Sequence, residues 1–175
     1  AFLAGRRGVE FNIEGDPRSD LLEMVREVRP TQCTLVPVMP GEITSQAGWP
    51  IDTPPAALSG TVEDLRKHGV RVSLFIEPDP AQIAAARQLG VEMIELHTGA
   101  FANATVGAAR EQELVRLRAA AEHAERFGIQ VNAGHGINLA NIADILQIPT
   151  LDTLNSGHSL VAHAVEVGIA GATRA

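Results

Sequence analysis

Short, β-rich apolar runs alternate with longer amphipathic runs along the chain. The pattern predicts strands at Val9–Glu14, Cys33–Val38, Arg71–Ile76, Met93–His97, Gln130–Asn132 and Thr150–Leu154. It predicts helices at Leu21–Val28, Thr61–His68, a run opening at Pro80, Glu111–Phe127, Leu139–Leu146 and Ser159–Val167. Strand–helix alternation of this kind marks βα units on a parallel sheet. Local punctuation agrees: Asp79 is placed to cap a helix with Pro80 at its first position, and Gly128 stops the long helix before it. The Pro- and Gly-rich stretch Met39–Pro55 is longer than most βα connections, which makes it a lid candidate. Six units fall short of the eight that close a barrel. An open set of six parallel strands leaves two edges unpaired. The pattern therefore allows a barrel short of two units, a barrel completed by another chain, or an open doubly wound sheet.

Composition narrows the chemistry. At 175 residues and 45% hydrophobic, the chain reads as one domain over residues 1–175 with enough apolar content for a core. No apolar run approaches a membrane span, and Arg6 and Arg7 follow the only apolar residues near the start, unlike a signal peptide. The single Cys33 excludes an internal disulfide and fits a cytoplasmic setting. A net charge of −7 argues against a nucleic-acid surface, so any anionic ligand is held by local features. There is no Tyr, and the only lysine, Lys67, falls inside a predicted helix. A Schiff-base enzyme needs its lysine in the pocket. Carbon–carbon chemistry here would have to use substrate amines, carboxylates and imidazoles.

Two turns stand out, Val131-Asn132-Ala133-Gly134-His135-Gly136 and Asn155-Ser156-Gly157-His158-Ser159. Each puts glycine and histidine where a strand ends and a helix begins. Glycine lets the backbone approach a phosphate, the helix N-terminus offers unpaired N–H groups, and histidine binds charge or moves protons. Two such turns in succession look like the phosphate corner of a (β/α) barrel. Glu14 ends the first strand, and alternation puts Glu95 and His97 on one side of the fourth. His68, His123 and His163 fall on helices and read as surface residues, Cys33 as core, and Trp49 as either a loop cover or loop packing.

The motifs Phe11-Asn12-Ile13-Glu14, Leu35-Val36-Pro37, Val72-Ser73-Leu74-Phe75-Ile76-Glu77-Pro78-Asp79, Ile94-Glu95-Leu96-His97-Thr98-Gly99, the 131–136 turn and Leu154-Asn155-Ser156-Gly157-His158 occur in this order. From about residue 9 to residue 170, without a gap, this series resembles the PdxJ family of pyridoxine 5′-phosphate synthases. The resemblance implies an α/β fold of the (β/α)8 TIM-barrel type, of which this chain carries six units, strands 3–8, with the first two absent. It implies a homo-oligomer and a transferase of vitamin B6 biosynthesis. That enzyme condenses 1-deoxy-D-xylulose 5-phosphate with 3-amino-2-oxopropyl phosphate, giving pyridoxine 5′-phosphate, inorganic phosphate and water. The substrate's own amine forms the imine, and neither metal nor organic cofactor is expected. Glu14 falls on the family's general base and His135 on its proton donor. Gly136, Gly157 and His158 fall on positions that hold the amino-ketone phosphate, and Thr44 on a loop threonine that contacts the deoxyxylulose phosphate. His97, at its strand end, is a further candidate for substrate binding.

The chain departs from the family pattern at Val38, Pro40, the loop Thr44-Ser45-Gln46-Ala47-Gly48, and Glu77, where the family has Asp. These changes cluster in the deoxyxylulose half of the site. Two other functions compete. One is a non-catalytic phosphate-ligand-binding barrel subunit completed by another chain, against which the pairing of Glu14 with His135 argues. The other is a metal enzyme with His97, His135, His158 and Glu14 on one ion, although the spacing matches no known metal motif.

Overall fold

The computed structural model describes residues 8–38, 41, 45–50, 53 and 55–175. Among them, strands β1 (Asn12–Gly15), β2 (Gln32–Leu35), β3 (Arg71–Ile76), β4 (Met93–His97), β5 (Gln130–Gly134) and β6 (Leu151–Asn155) form a parallel sheet. Each strand pairs with its neighbour in sequence. The helices are α1 (Ser19–Val28), α2 (Pro55–Lys67), α3 (Pro80–Leu89), α4 (Gly99–Asn103), α5 (Ala108–Arg126), α6 (Ile142–Ile145), α7 (His158–Val167) and α8 (Ile169–Ala172).

The order β1 to β6 runs without reversal. A doubly wound sheet needs a point at which the order reverses, so that alternative falls. The sheet is also far from flat. Five steps of about 4.8 Å would set the outer strands roughly 24 Å apart. Yet Asn155 Nδ2 on β6 lies 3.3 Å from Glu14 Oε2 on β1. Side chains cannot span the difference, so the sheet curls into a half-barrel of the TIM type.

Alternation along the strands sorts residues between two faces. Cys33, Leu35, Val72, Leu74, Ile76, Ile94, Leu96 and Val131 turn outward and are buried with Leu58, Val62 and Leu65 of α2, Ile83 of α3, and Leu114 and Leu117 of α5. This layer between sheet and helices is the hydrophobic core. The concave face carries Asn12, Glu14, Gln32, Thr34, Glu95 and Asn155, joined in part by hydrogen bonds. A polar interior is costly unless its groups are paired. Its concentration on one face is the first structural sign of a ligand site.

Most predicted elements are present with shifted ends. The Asp79 side chain accepts from the N–H groups of Ala81 and Gln82 at the start of α3, and Gly128 takes a φ of 71° just after α5. The helix expected over 139–146 shrinks to the single turn α6, because asparagine side chains bind the backbone before it. Asn141 Oδ1 accepts from Asn138 N–H at 2.8 Å, and Asn138 Oδ1 accepts from Ala140 N–H at 2.9 Å. Helices α4 and α8, of 5 and 4 residues, are too short to show a helical period and were not anticipated.

Candidate active site

A cleft opens along the concave face toward the carboxyl ends of the strands. Glu14, Glu95, His135, Asn155 and His158 line it. Three groups of residues build it.

The first spans the half-barrel. Asn155 Nδ2 donates to Glu95 Oε2 at 2.5 Å and reaches Glu14 Oε2 at 3.3 Å, while Asn12 Nδ2 donates to Glu14 Oε2 at 2.9 Å. Glu95 fits only because β5 has a glycine beside it: a Cβ on Gly134 would collide with Glu95 Oε1. Burial, reinforced by the charge of Glu14, pushes the Glu95 carboxyl up to about 8, against a smaller opposing effect of Asn155. The walls of the cleft also raise Glu14 above the ordinary carboxylate range, although solvent reaches its side chain and Asn12 opposes the shift. Two acids held near one amide thus favour a state in which Glu95 keeps its proton and Glu14 carries the charge.

The second group surrounds His135. This residue sits at φ 81°, a left-handed backbone uncommon outside glycine. Thr98 holds it there: its hydroxyl lies 2.8 Å from the Gly134 carbonyl oxygen and 2.5 Å from that of His135, and donates its proton between them. The ring of His135 meets that of His97 edge-on at 4.8 Å. Partial burial, and then the neighbouring His97, hold the His135 imidazole below its ordinary value, with Glu77 opposing. His97 itself does not face the cleft. It is 6% exposed, packed against Phe75, and its Nδ1 is 2.7 Å from Glu77 Oε1.

The third group is the turn pair at the phosphate corner. Gly136 takes a φ of 75°, and a Cβ there would meet Ala102 Cβ at 2.6 Å, so glycine is required. The amides of Asn141 and Asn138 bind its carbonyl at 3.0 and 3.3 Å. Gly157 precedes α7 and His158 opens it, and a Cβ on Gly157 would meet nothing within 4 Å. The Ser159 hydroxyl donates to the Ile137 carbonyl at 2.7 Å, which ties this helix start to the β5 turn. No Lys or Arg is among the described residues lining the cleft. Backbone N–H groups at the helix start and His158 are therefore anion-binding features on offer, beside the hydroxyl and amide side chains that line the cleft.

Of the residues singled out from the sequence, Glu14, His135, Gly136, Gly157 and His158 come together around this cleft, and His97 lies behind His135. Thr44 is outside the described residues. Among the described residues no three of His, Cys, Asp and Glu converge to hold a metal. Trp49 packs against the core, and its indole N–H donates to the Leu35 carbonyl at 2.9 Å. The sequence alone does not single out Asn155 or Thr98. Their only signal was membership of the two quoted motifs, because amide and hydroxyl roles depend on partners distant in sequence.

A family model described as "Pyridoxal phosphate biosynthesis protein PdxJ" matches residues 2–175. The chain belongs to the PdxJ family. Pyridoxine 5′-phosphate synthase of Synechococcus sp. (strain JA-2-3B'a(2-13)) is 41% identical over 94% of this chain and 69% of the relative. The protein of the same name from Mesorhizobium japonicum is 43% identical over 93% of this chain and 67% of the relative. The chain thus spans about two thirds of the length of these PdxJ relatives. Among solved structures, 3-hexulose-6-phosphate synthase superposes with a TM-score of 0.56 at 14% identity, covering 90% of this chain and 66% of that one. A xylose isomerase domain protein from Planctomyces limnophilus gives a TM-score of 0.53 at 13% identity, covering 87% and 68%. At such identities these two speak for the barrel-type fold of this PdxJ chain and not for its chemistry.

Proposed function

We propose that this protein is a pyridoxine 5′-phosphate synthase-type condensing enzyme of vitamin B6 biosynthesis, acting on two phosphorylated small molecules. The observation that carries the reading is the joint presence, in one cleft, of a raised carboxyl at Glu14, an imidazole at His135 and the glycine–histidine turn at Gly157–His158. A pure phosphate binder needs the last of these and not the first two, so the non-catalytic alternative is not favoured.

In this reading the amine of 3-amino-2-oxopropyl phosphate attacks the ketone carbon of 1-deoxy-D-xylulose 5-phosphate. Water leaves and a carbon–nitrogen double bond forms, with no enzyme lysine involved. Glu14 removes a proton from carbon next to that bond, and the electron pair is delocalised into it as an enamine. His135 returns protons to departing oxygen, so that the carbon–oxygen bonding pair leaves with phosphate or water. Glu95, keeping its proton, leaves Glu14 to carry the negative charge. Gly136, Gly157 and His158 hold the amino-ketone phosphate at the helix start.

The direct test is to supply both substrates to the purified protein and follow pyridoxine 5′-phosphate and released phosphate. Product is expected from the wild type. Glu14→Gln and His135→Asn each lower kcat by roughly 10²–10⁴-fold, the range of a positioned acid or base. Phosphate binding without product from the wild type would overturn the reading in favour of a binding subunit.

A further inference from the structure

Glu77 is an acidic residue the proposed chemistry does not use, yet it is held from four directions. Its Oε1 is 2.7 Å from His97 Nδ1 and accepts from the Gly48 N–H at 3.0 Å. Its Oε2 faces the Arg116 guanidinium of α5 at 3.8 Å, and its backbone N–H donates to Gln82 Oε1 at 2.8 Å. The His97 ring also meets the His135 ring edge-on, with centroids 4.8 Å apart. Among the described residues no other hydrogen bond fixes the His97 ring, because its Nε2 is buried without a partner there. The fit is tight on both flanks. A Cβ on Gly99 would come within 2.5 Å of His97 Nε2 and 3.2 Å of His135 Cδ2. A Cβ on Gly48 would come within 2.5 Å of the Ile76 and Glu77 backbone. The same loop segment is stitched down by the Trp49 N–H to the Phe75 carbonyl at 3.0 Å.

We infer that Glu77 is a positioning residue that orients His135 through His97, and that its bond to Gly48 couples the 45–50 loop segment to the proton donor. The inference rests on the reading of His135 as that donor. The carboxylate accepts a hydrogen bond from His97 Nδ1–H, which fixes the tautomer and plane of that ring, and the His97 ring is the wall against which His135 stands. The charged and titratable groups around Glu77 are His97 on β4 and Arg116 on α5, with Glu113 beside Arg116 at 3.1 Å. Around His135 they are His97 and Glu77, with Glu14, Glu95 and His158 across the cleft.

The test combines histidine ring NMR, emission of the sole tryptophan, Trp49, and kinetics on the full chain. In Glu77→Ala the His97 and His135 ring resonances both move, Trp49 emission shifts, and kcat falls about tenfold or more while KM changes little, as expected when orientation alone is lost. Glu77→Gln keeps an acceptor for Gly48 and restores Trp49 emission and part of kcat. Gly48→Ala, which touches neither histidine, moves the His135 resonances, and it decides the matter if Glu77→Ala does not fold. Folded Glu77→Ala or Gly48→Ala with His135 resonances and kcat at wild-type values overturns the inference. A wild type that makes no product, but whose His135 resonances respond to these substitutions, instead removes the synthase reading and leaves the coupling standing.

Discussion

Glu95 shows how much one buried carboxyl governs at the scale of a residue. Its folded value of about 8 lies above the ordinary 4.5. Between these limits the folded protein holds a proton that the unfolded chain has released. The contribution is complete below the unfolded value and is lost as pH rises through the folded one. The amount is on the order of a few kcal/mol. We expect the wild-type melting temperature to fall between about pH 5 and 8 and that of Glu95→Gln to fall less, measured by thermal scans at several pH values. Parallel curves would show that Glu95 ionises freely in the fold. The pH dependence of kcat/KM reads the other two groups. If Glu14 must be ionised and His135 protonated, the profile is a bell. Its acid limb is displaced upward by the enclosure of Glu14, and its alkaline limb is displaced below the ordinary histidine value of 6.5 by the burial of His135 and its neighbour His97. Loss of the acid limb in a Glu14→Gln variant with residual activity would identify that limb. At this scale Glu14 and His135 were legible as strand-end residues. The shift of Glu95 was not, because it depends on β6 approaching β1 across the half-barrel.

At the scale of elements, the β4–α4 and β5 turns act as one unit. Thr98 belongs to the first and grips two carbonyls of the second. Thr98→Val keeps the shape and removes the donor, so the loss of a buried hydrogen bond costs about 1–3 kcal/mol of stability. The turn at His135 also relaxes, so kcat falls more than KM changes. Denaturant unfolding and steady-state kinetics on the same variant check both halves, and an unchanged kcat would confine Thr98 to a structural part. Gly134→Ala forces Glu95 to move, and is expected to destabilise by roughly 1–3 kcal/mol, as overpacked positions do. Element type was readable from the apolar runs of β2 to β5 and from the amphipathic spacing of α1. Element ends were not, as at α6, where Asn138 and Asn141 divert backbone groups that a helix would have used.

For the molecule as a whole, the number of strands was visible in the sequence but their closure was not. Alternating βα runs fit an open sheet or a barrel arc equally well, and the unreversed strand order and the meeting of Asn155 with Glu14 separate them. Burial is unevenly distributed along the chain. Helix α7 has no buried residue, and Val161 and Val165 on it are 61% and 84% exposed, whereas β2 and β4 are buried at every position. Hydrogen exchange should therefore be fastest in α7 and α8 and slowest in β2 to β5, and uniform protection would contradict this ordering. His135 carries a related consequence for the protein's history under selection. A left-handed backbone suits Gly and Asn better than His, so His135→Asn or His135→Gly should raise the melting temperature while lowering turnover by roughly 10²–10⁴-fold. A screen for heat resistance alone would thus enrich poorly active molecules at this position, and only an added demand for product would keep the imidazole in place.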